Sequence, residues 1–175
     1  MNSTAADEHR FLELVNENQN RILKVCRVYA WNPSDQEDLY QEILFQIWRA
    51  LPGLKENAYA NTWLYRIAIN TSISFTRKRT ARGGRALQFD HAELTRHIEA
   101  RQTHDHQHDD TLSKLYEAIA QLDAVERALI TLFLEDLSYE QIADVLGVSA
   151  NNVGVMLHRA KKKLSALMTE PAHES

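Results

Sequence analysis

Leu137-SYEQIADVLGVSANNVGVMLHRAKKK-Leu164 is the stretch on which the reading of this chain turns. Ser138, followed three positions later by Gln141, has the spacing of a capping box, in which each residue satisfies an amide at the first helical turn, so a helix begins there. Leu146-Gly147-Val148-Ser149 then interrupts the helical pattern. Glycine takes the left-handed conformation that closes one helix and serine caps the next, so two short helices meet at a sharp turn. In the second of them Val153, Leu157, Ala160, Leu164 and Leu167 recur at alternating spacings of four and three and mark a buried stripe. Asn151, His158 and Lys162 form one row on the remaining surface, and Asn152, Arg159 and Lys163 form the row beside it. A helix that shows amides and cations in this way is suited to a major groove. Turn, caps, stripe and basic face agree on a helix-turn-helix that binds duplex DNA. The plainer alternative is a surface helix with solvated lysines.

The rest of the chain sets the context for that element. Its 175 residues allow one domain or two small ones, and 44% hydrophobic with 25% charged residues is ordinary for a soluble globular protein. The first ten residues, Met1 to Arg10, lack an apolar signal core, and no apolar run approaches the roughly 18 residues that span a bilayer, so a cytoplasmic location without membrane insertion is expected. Cys26 is the single cysteine, which forbids an internal disulfide, and its setting in Ile22-Leu23-Lys24-Val25-Cys26 fits a small core hydrophobe. The net charge of -4 speaks against nonspecific coating of nucleic acid, yet it hides two acid-free basic runs. Arg77, Lys78, Arg79, Arg82 and Arg85 make the first, and Arg159, Lys161, Lys162 and Lys163 the second. Acids gather between Asp35 and Glu42 and around Asp105, Asp109 and Asp110. Two basic surfaces on an acidic chain point to two DNA contacts and a different partner for the acidic face.

Helical spacing of Phe11, Leu14, Val15, Ile22, Val25 and Val28 predicts a first helix over about 5–29, ended by Trp31-Asn32-Pro33. Ser34 with Glu37 predicts a capping box for a second helix that runs to about Arg49, before Leu51-Pro52-Gly53 breaks it. A third helix is expected over about 60–78, with a core stripe at Ala60, Leu64, Ile67, Ala68, Thr71 and Phe75. Residues from Arg79 to Asp110 mix Gly83-Gly84 with several histidines and read as linker. Leu112, Leu115, Ile119 and Leu122 restart the helical period, and Asp123 with Glu126 forms a further capping box, giving four short helices at the C-terminal end. No strand alternation, internal repeat or glycine-rich phosphate loop stands out. The expected fold class is all-α, with two small helical domains at 1–80 and 111–170 joined by a flexible linker at 81–110, the second domain containing the helix-turn-helix.

Two helices carry faces that their own domain does not explain. At about 100° per residue the second helix places Leu39, Tyr40, Ile43, Leu44, Ile47, Trp48 and Leu51 on one broad half. Phe45 falls opposite, among Asp38, Gln41, Glu42 and Arg49, the pattern of an anchor for a partner protein; an isolated exposed ring is the bland alternative. The third helix shows Trp63, Arg66, Asn70, Ser74 and Arg77 along one arc, a ring with amide and cations that suits single-stranded DNA, although Trp63 fits core packing equally well.

With these strings in hand, the chain resembles the extracytoplasmic-function class of bacterial sigma factors, the promoter-specificity subunits of RNA polymerase. Asp38-Leu39-Tyr40-Gln41-Glu42-Ile43-Leu44-Phe45-Gln46-Ile47-Trp48 is similar to the family's polymerase-binding segment, and Trp63-Leu64-Tyr65-Arg66-Ile67-Ala68-Ile69-Asn70 to its minus-ten segment. Leu137 to Ala143, with Leu157-His158-Arg159-Ala160-Lys161, is similar to its minus-thirty-five reader. The resemblance implies an alternative sigma factor that binds core RNA polymerase, recognises promoter DNA and promotes its melting, without a cofactor and without enzymatic activity. It implies that Asp38, Gln41, Glu42, Phe45 and Arg49 dock on the coiled coil of the largest polymerase subunit. It implies that Asn57, Tyr59, Asn61, Trp63, Arg66 and Asn70 capture a flipped base and the melted strand, with Arg77, Lys78 and Arg79 on phosphates. Ser138, Tyr139, Asn151, Asn152, His158, Arg159, Lys162 and Lys163 fall to the minus-thirty-five element, and an anti-sigma factor is the implied further partner. Gly154-Val155-Met156 departs from the serine, lysine or arginine often found there, so fewer base contacts and more shape readout are expected, with Gly154 permitting a close backbone approach.

Two rivals stay open at this stage. A stand-alone helix-turn-helix regulator explains the C-terminal domain but gives the first three helices no task. His91, His97, His104, His106 and His108, beside Asp105, Asp109 and Asp110, offer imidazole and carboxylate ligands for a regulatory metal, centred on His104, His106 and His108; a solvated linker accounts for them as simply.

Overall fold

The computed structural model describes residues 5–55, 59–82 and 106–169, with side chains from residue 110 onward in the last segment. These fall into two compact units. The first holds α1 (Ala5–Tyr29), α2 (Pro33–Ala50), a single 3-10 turn (Leu51–Gly53) and α3 (Ala60–Ala81). The second holds α4 (His106–Ala120), α5 (Ala124–Leu134), α6 (Tyr139–Leu146) and α7 (Ala150–Thr169). Every regular element among the described residues is helical, as the periodicity predicts.

In the first unit α1 has the predicted bounds and buries Ile22, Val25, Cys26, Val28 and Tyr29. Phe11 meets Trp48 of α2 edge-on, with ring centroids 5.2 Å apart. Burial pushes the Cys26 thiol up to about 12, so at neutral pH it is a packed apolar group and not a nucleophile. The start of α2 differs from expectation. Asn32, not Ser34, is the cap: its Oδ1 accepts the Asp35 N–H at 2.8 Å, and Pro33 takes the first helical position. Proline there loses no hydrogen bond and is already held at a helical φ, so the helix starts two residues earlier than the Ser34–Glu37 pair implies. Leu39, Ile43, Ile47 and Leu51 are completely buried, and truncating one of them to alanine costs about 2–5 kcal/mol.

The buried face of α3 is the larger correction. Leu64 and Ala68 are buried as expected, but Tyr65, Ile69 and Ser72 join them, while Ile67, Thr71 and Phe75 are only half-buried. The reason is that α3 packs against both α1 and α2, so two adjoining stripes are covered and a single-stripe reading centres on the wrong one. Ser72 is tolerated inside because its hydroxyl donates to the Ala68 carbonyl at 2.7 Å.

The second unit follows its sequence signals more closely. Asp123 accepts the Val125 and Glu126 amides at 2.9 and 2.8 Å, and Glu126 accepts the Asp123 amide at 3.0 Å, completing the predicted box. Arg127, buried beneath it, donates to the carbonyls of Leu122 and Ala120 and closes the turn between α4 and α5. Ser138 and Gln141 cap α6 reciprocally at 3.2 and 2.8 Å. Gly147 adopts φ 69°, the left-handed closure, and donates to Ala143; Ser149 Oγ then accepts the Asn152 amide at 3.2 Å to start α7. Val153, Leu157 and Ala160 are buried, and Leu164 and Leu167 half-buried. At 20 residues α7 is longer than the short helix expected, and α4 begins at His106, inside the stretch read as linker.

Candidate nucleic-acid and protein interfaces

The expected docking face of α2 is assembled by the helix itself. Its core stripe turns Asp38, Gln41, Phe45 and Arg49 to solvent, while Glu42 is half-buried and accepts a hydrogen bond from Gln46 Nε2 at 2.8 Å. Phe45 is 54% exposed, and the Arg49 guanidinium carbon lies 5.8 Å from its ring centroid. A phenyl ring held this far out on a rigid helix, with polar groups around it, is available to fill a partner's pocket.

On α3 the exposed side carries Asn61, Arg66, Asn70, Arg77, Lys78 and Arg79. Tyr59, just before the helix, is 65% exposed, and Trp63 is half-buried. Asn57 lies outside the described residues. Two of these side chains already have partners within the unit. Arg79 is ion-paired with Asp35, whose own carboxylate is also bound by Asn32 Nδ2. Asn61 Oδ1 accepts from Arg21 of α1 at 3.3 Å. Neither Arg21 nor Asp35 was in the sequence-derived set; both act across the unit, with no local motif to reveal them.

The second helix of the helix-turn-helix, α7, exposes Asn151, Asn152, His158, Arg159, Lys162 and Lys163, and Ser138 and Tyr139 are exposed at the start of α6. Gly154 lies under the Tyr139 ring: a Cβ at this position would stand 3.5 Å from Tyr139 Cε2, an ordinary contact. Two lysines of the basic run turn back onto α5. Lys163 Nζ is 2.8 Å from Glu126 Oε2, which raises the lysine above its ordinary pKa chiefly through that hydrogen bond. Lys161 Nζ sits 3.5 Å from the Phe133 ring centroid. Of the candidate metal ligands, His104 and the side chains of His106 and His108 lie outside the described residues. Among the described residues no three His, Cys, Asp or Glu side chains gather as a metal site, and no helix is long and apolar enough to cross a membrane.

An apolar anchor on one helix, amides, rings and cations on the next, and a helix-turn-helix in the second unit correspond to known sequence families. Residues 14–82 match the model of sigma-70 region 2, and residues 112–164 match that of sigma-70 region 4. The chain is 28% identical over 165 residues to the ECF RNA polymerase sigma factor SigE of Mycolicibacterium smegmatis, covering 93% of this chain and 63% of that one. It is 28% identical over 172 residues to the RNA polymerase sigma factor NccH of Alcaligenes xylosoxydans xylosoxydans, covering 93% and 88%. Its fold is similar to that of the sigma factor RpoE in the crystal of its complex with the anti-sigma factor NepR from Bartonella quintana, with a TM-score of 0.64, 18% identity and coverage of 94% and 98%. The chain belongs to the extracytoplasmic-function class of bacterial RNA polymerase sigma factors, alternative sigma factors that bring core polymerase to promoter DNA and promote its melting.

Proposed function

We propose that residues 1–80 act as the polymerase-binding and minus-ten unit, 81–110 as the linker, and 111–170 as the minus-thirty-five reader. In this reading Phe45, flanked by Asp38, Gln41, Glu42 and Arg49, docks on the coiled coil of the largest polymerase subunit. The observation that carries it is the exposure of Phe45, 54%, on the side of α2 opposite three completely buried residues. Tyr59, Asn61, Trp63, Arg66 and Asn70, together with Asn57, which lies outside the described residues, hold the melted strand, because an extruded base exchanges stacking in the duplex for stacking on a ring and hydrogen bonds to amides. Arg77, Lys78 and Arg79 meet phosphates. Upstream, Asn151, Asn152, His158 and Arg159 reach base edges, while Lys162, Lys163, Ser138 and Tyr139 contact the backbone. Activity in the cytoplasm and control by an anti-sigma factor belong to the same reading, supported by the fold shared with a sigma factor that crystallises with one.

Reconstitution with core polymerase tests it. The protein alone should bind promoter DNA poorly and the holoenzyme well, whereas tight specific binding by the protein alone would favour a stand-alone regulator. Trp63→Ala and Asn70→Ala should lower open-complex formation, read by permanganate reactivity on a cognate promoter, more than they lower core binding. Undiminished reactivity in both variants would remove these residues from strand capture.

A further inference from the structure

We propose that Arg21, on α1 and outside every surface assigned above, is a positioning residue that fixes which end of the Asn61 amide faces the promoter strand. The inference rests on the reading that Asn61 meets the melted minus-ten strand. Its basis is a three-residue chain of hydrogen bonds. Asn18 is 2% exposed, and its Nδ2 donates to the Leu14 carbonyl at 2.9 Å. With its nitrogen committed, Asn18 presents Oδ1, which accepts from Arg21 Nη1 at 2.7 Å. The same guanidinium nitrogen donates to Asn61 Oδ1 at 3.3 Å.

A guanidinium has five N–H donors and no acceptor. An asparagine amide facing it must therefore turn its oxygen inward and its NH2 group outward. Asn61 is exposed, so the outward group is what a captured base meets. Two N–H donors recognise a lone pair, on a base carbonyl or an unprotonated ring nitrogen, and reject an exocyclic amino group at the same place. Without Arg21 the amide is free to rotate, since the terminal torsion of asparagine is broad and roughly two-fold, and it can then accept from an amino group as readily as it donates. Arg21 thus converts an ambiguous amide into a donor, and the buried Asn18 holds Arg21 in place for that task. The expected ligand chemistry is a base edge that offers an acceptor to Asn61.

The test uses holoenzyme and fork-junction DNA whose minus-ten element is unpaired, with each of the four bases at each unpaired position. Asn61→Ala should flatten the preference at one position by about tenfold, the scale of a single base contact. Arg21→Gln still offers Asn18 a donor but also shows Asn61 an acceptor, so it should flatten the preference at that same position, and Arg21→Lys, which offers only donors, should restore most of it. Adding Arg21→Gln to Asn61→Ala should flatten it no further. If Asn61→Ala flattens the preference while Arg21→Gln and Arg21→Ala keep the wild-type pattern, positioning by Arg21 is overturned and strand capture by Asn61 survives. If Asn61→Ala changes nothing at any position, capture at Asn61 fails and the positioning role fails with it. Equal weakening of all four bases in Arg21→Gln would reduce Arg21 to a tie between α1 and α3, and would also overturn the proposal.

Discussion

Each unit carries an exposed phenylalanine beside a cation and a basic array with one member tied to an acid, but the two treat these parts differently. In the first unit Phe45 is 54% exposed and its arginine stands off at 5.8 Å. In the second, Phe133 is 36% exposed and Lys161 sits directly over it at 3.5 Å. The acids that tie the arrays are equivalent by position: Asp35 and Glu126 are both the third residue of a capped helix. Glu126 also accepts the Asp123 amide, whereas Asp35 is held by Asn32 Nδ2. A bare ring leaves its apolar face open to contact, while a ring already covered by a cation is partly satisfied at home. In the same way, a count of basic residues overstates what DNA meets, because Lys161, Lys163 and Arg79 are engaged inside the protein.

The largest expected effect separates the two rings. Phe45→Ala should weaken core polymerase binding by about 2 kcal/mol or more, as loss of a buried anchor does, with its melting temperature shifted by no more than about 2 °C. Phe133→Ala should mainly release Lys161 and cost about 0.5–1 kcal/mol of stability, the size of an exposed cation–π contact. Titration of labelled core with each variant, beside thermal unfolding, decides the matter. Equal losses of core affinity would mean that the bare and the covered ring are not different in kind, and a Phe45→Ala protein that melts far below wild type would place that ring in the core.

The next effect divides the reading helix. Arg159 is exposed in the middle of α7, and its planar fork can pair with a guanine edge in fixed geometry. Arg159→Ala should relax preference at one upstream base pair, at a penalty of about 1–3 kcal/mol on the best sequence. Lys163→Ala should weaken every sequence alike, and by less, because its ammonium already has Glu126 as a partner. Holoenzyme affinities on single-base variants of the upstream element, at two salt concentrations, separate these outcomes. Uniform loss in Arg159→Ala would make it a phosphate clamp and leave Asn151, Asn152 and His158 as the readers.

What could be read in advance follows the range of each interaction. The capping boxes at Asp123–Glu126 and Ser138–Gln141, and the left-handed Gly147, form as their spacing implies, since each is closed within one turn of chain. Phe45 is exposed as the period of α2 requires. Even a local signal can be outvoted: Pro33 at the first helical position makes Asn32 the cap and leaves Ser34 inside the helix. Tyr65, Ile69 and Ser72 escaped because periodicity finds one stripe, and α3 is covered on two sides. The partners of the proposed site residues were the least legible. Arg21 reaches Asn61 across 40 positions and Lys163 reaches Glu126 across 37, and nothing in the intervening sequence encodes either meeting.

The smallest effect bears on those tying acids. Asp35→Asn and Glu126→Gln keep an oxygen acceptor at each helix start while removing the charge that holds Arg79 or Lys163. Exposed or half-exposed ion pairs contribute about 0–1 kcal/mol, so both variants should fold with little loss. The Lys163 ammonium, raised above its ordinary pKa by Glu126, stays charged until the pH passes that raised value, so the contribution of its pairing is present at neutral pH and is lost as the pH rises through it. Glu126→Gln should therefore act at pH 7–8 by freeing a charged lysine and not by changing its protonation. Each freed cation that reaches a phosphate adds up to about 0.9 to the slope of log affinity against log salt. The slope for holoenzyme on duplex upstream DNA should steepen with Glu126→Gln, and that on the downstream fork with Asp35→Asn. Slopes equal to wild type in both would show that Lys163 and Arg79 exchange their acids for phosphates without hindrance, and the internal pairs would then not limit the charge that DNA meets.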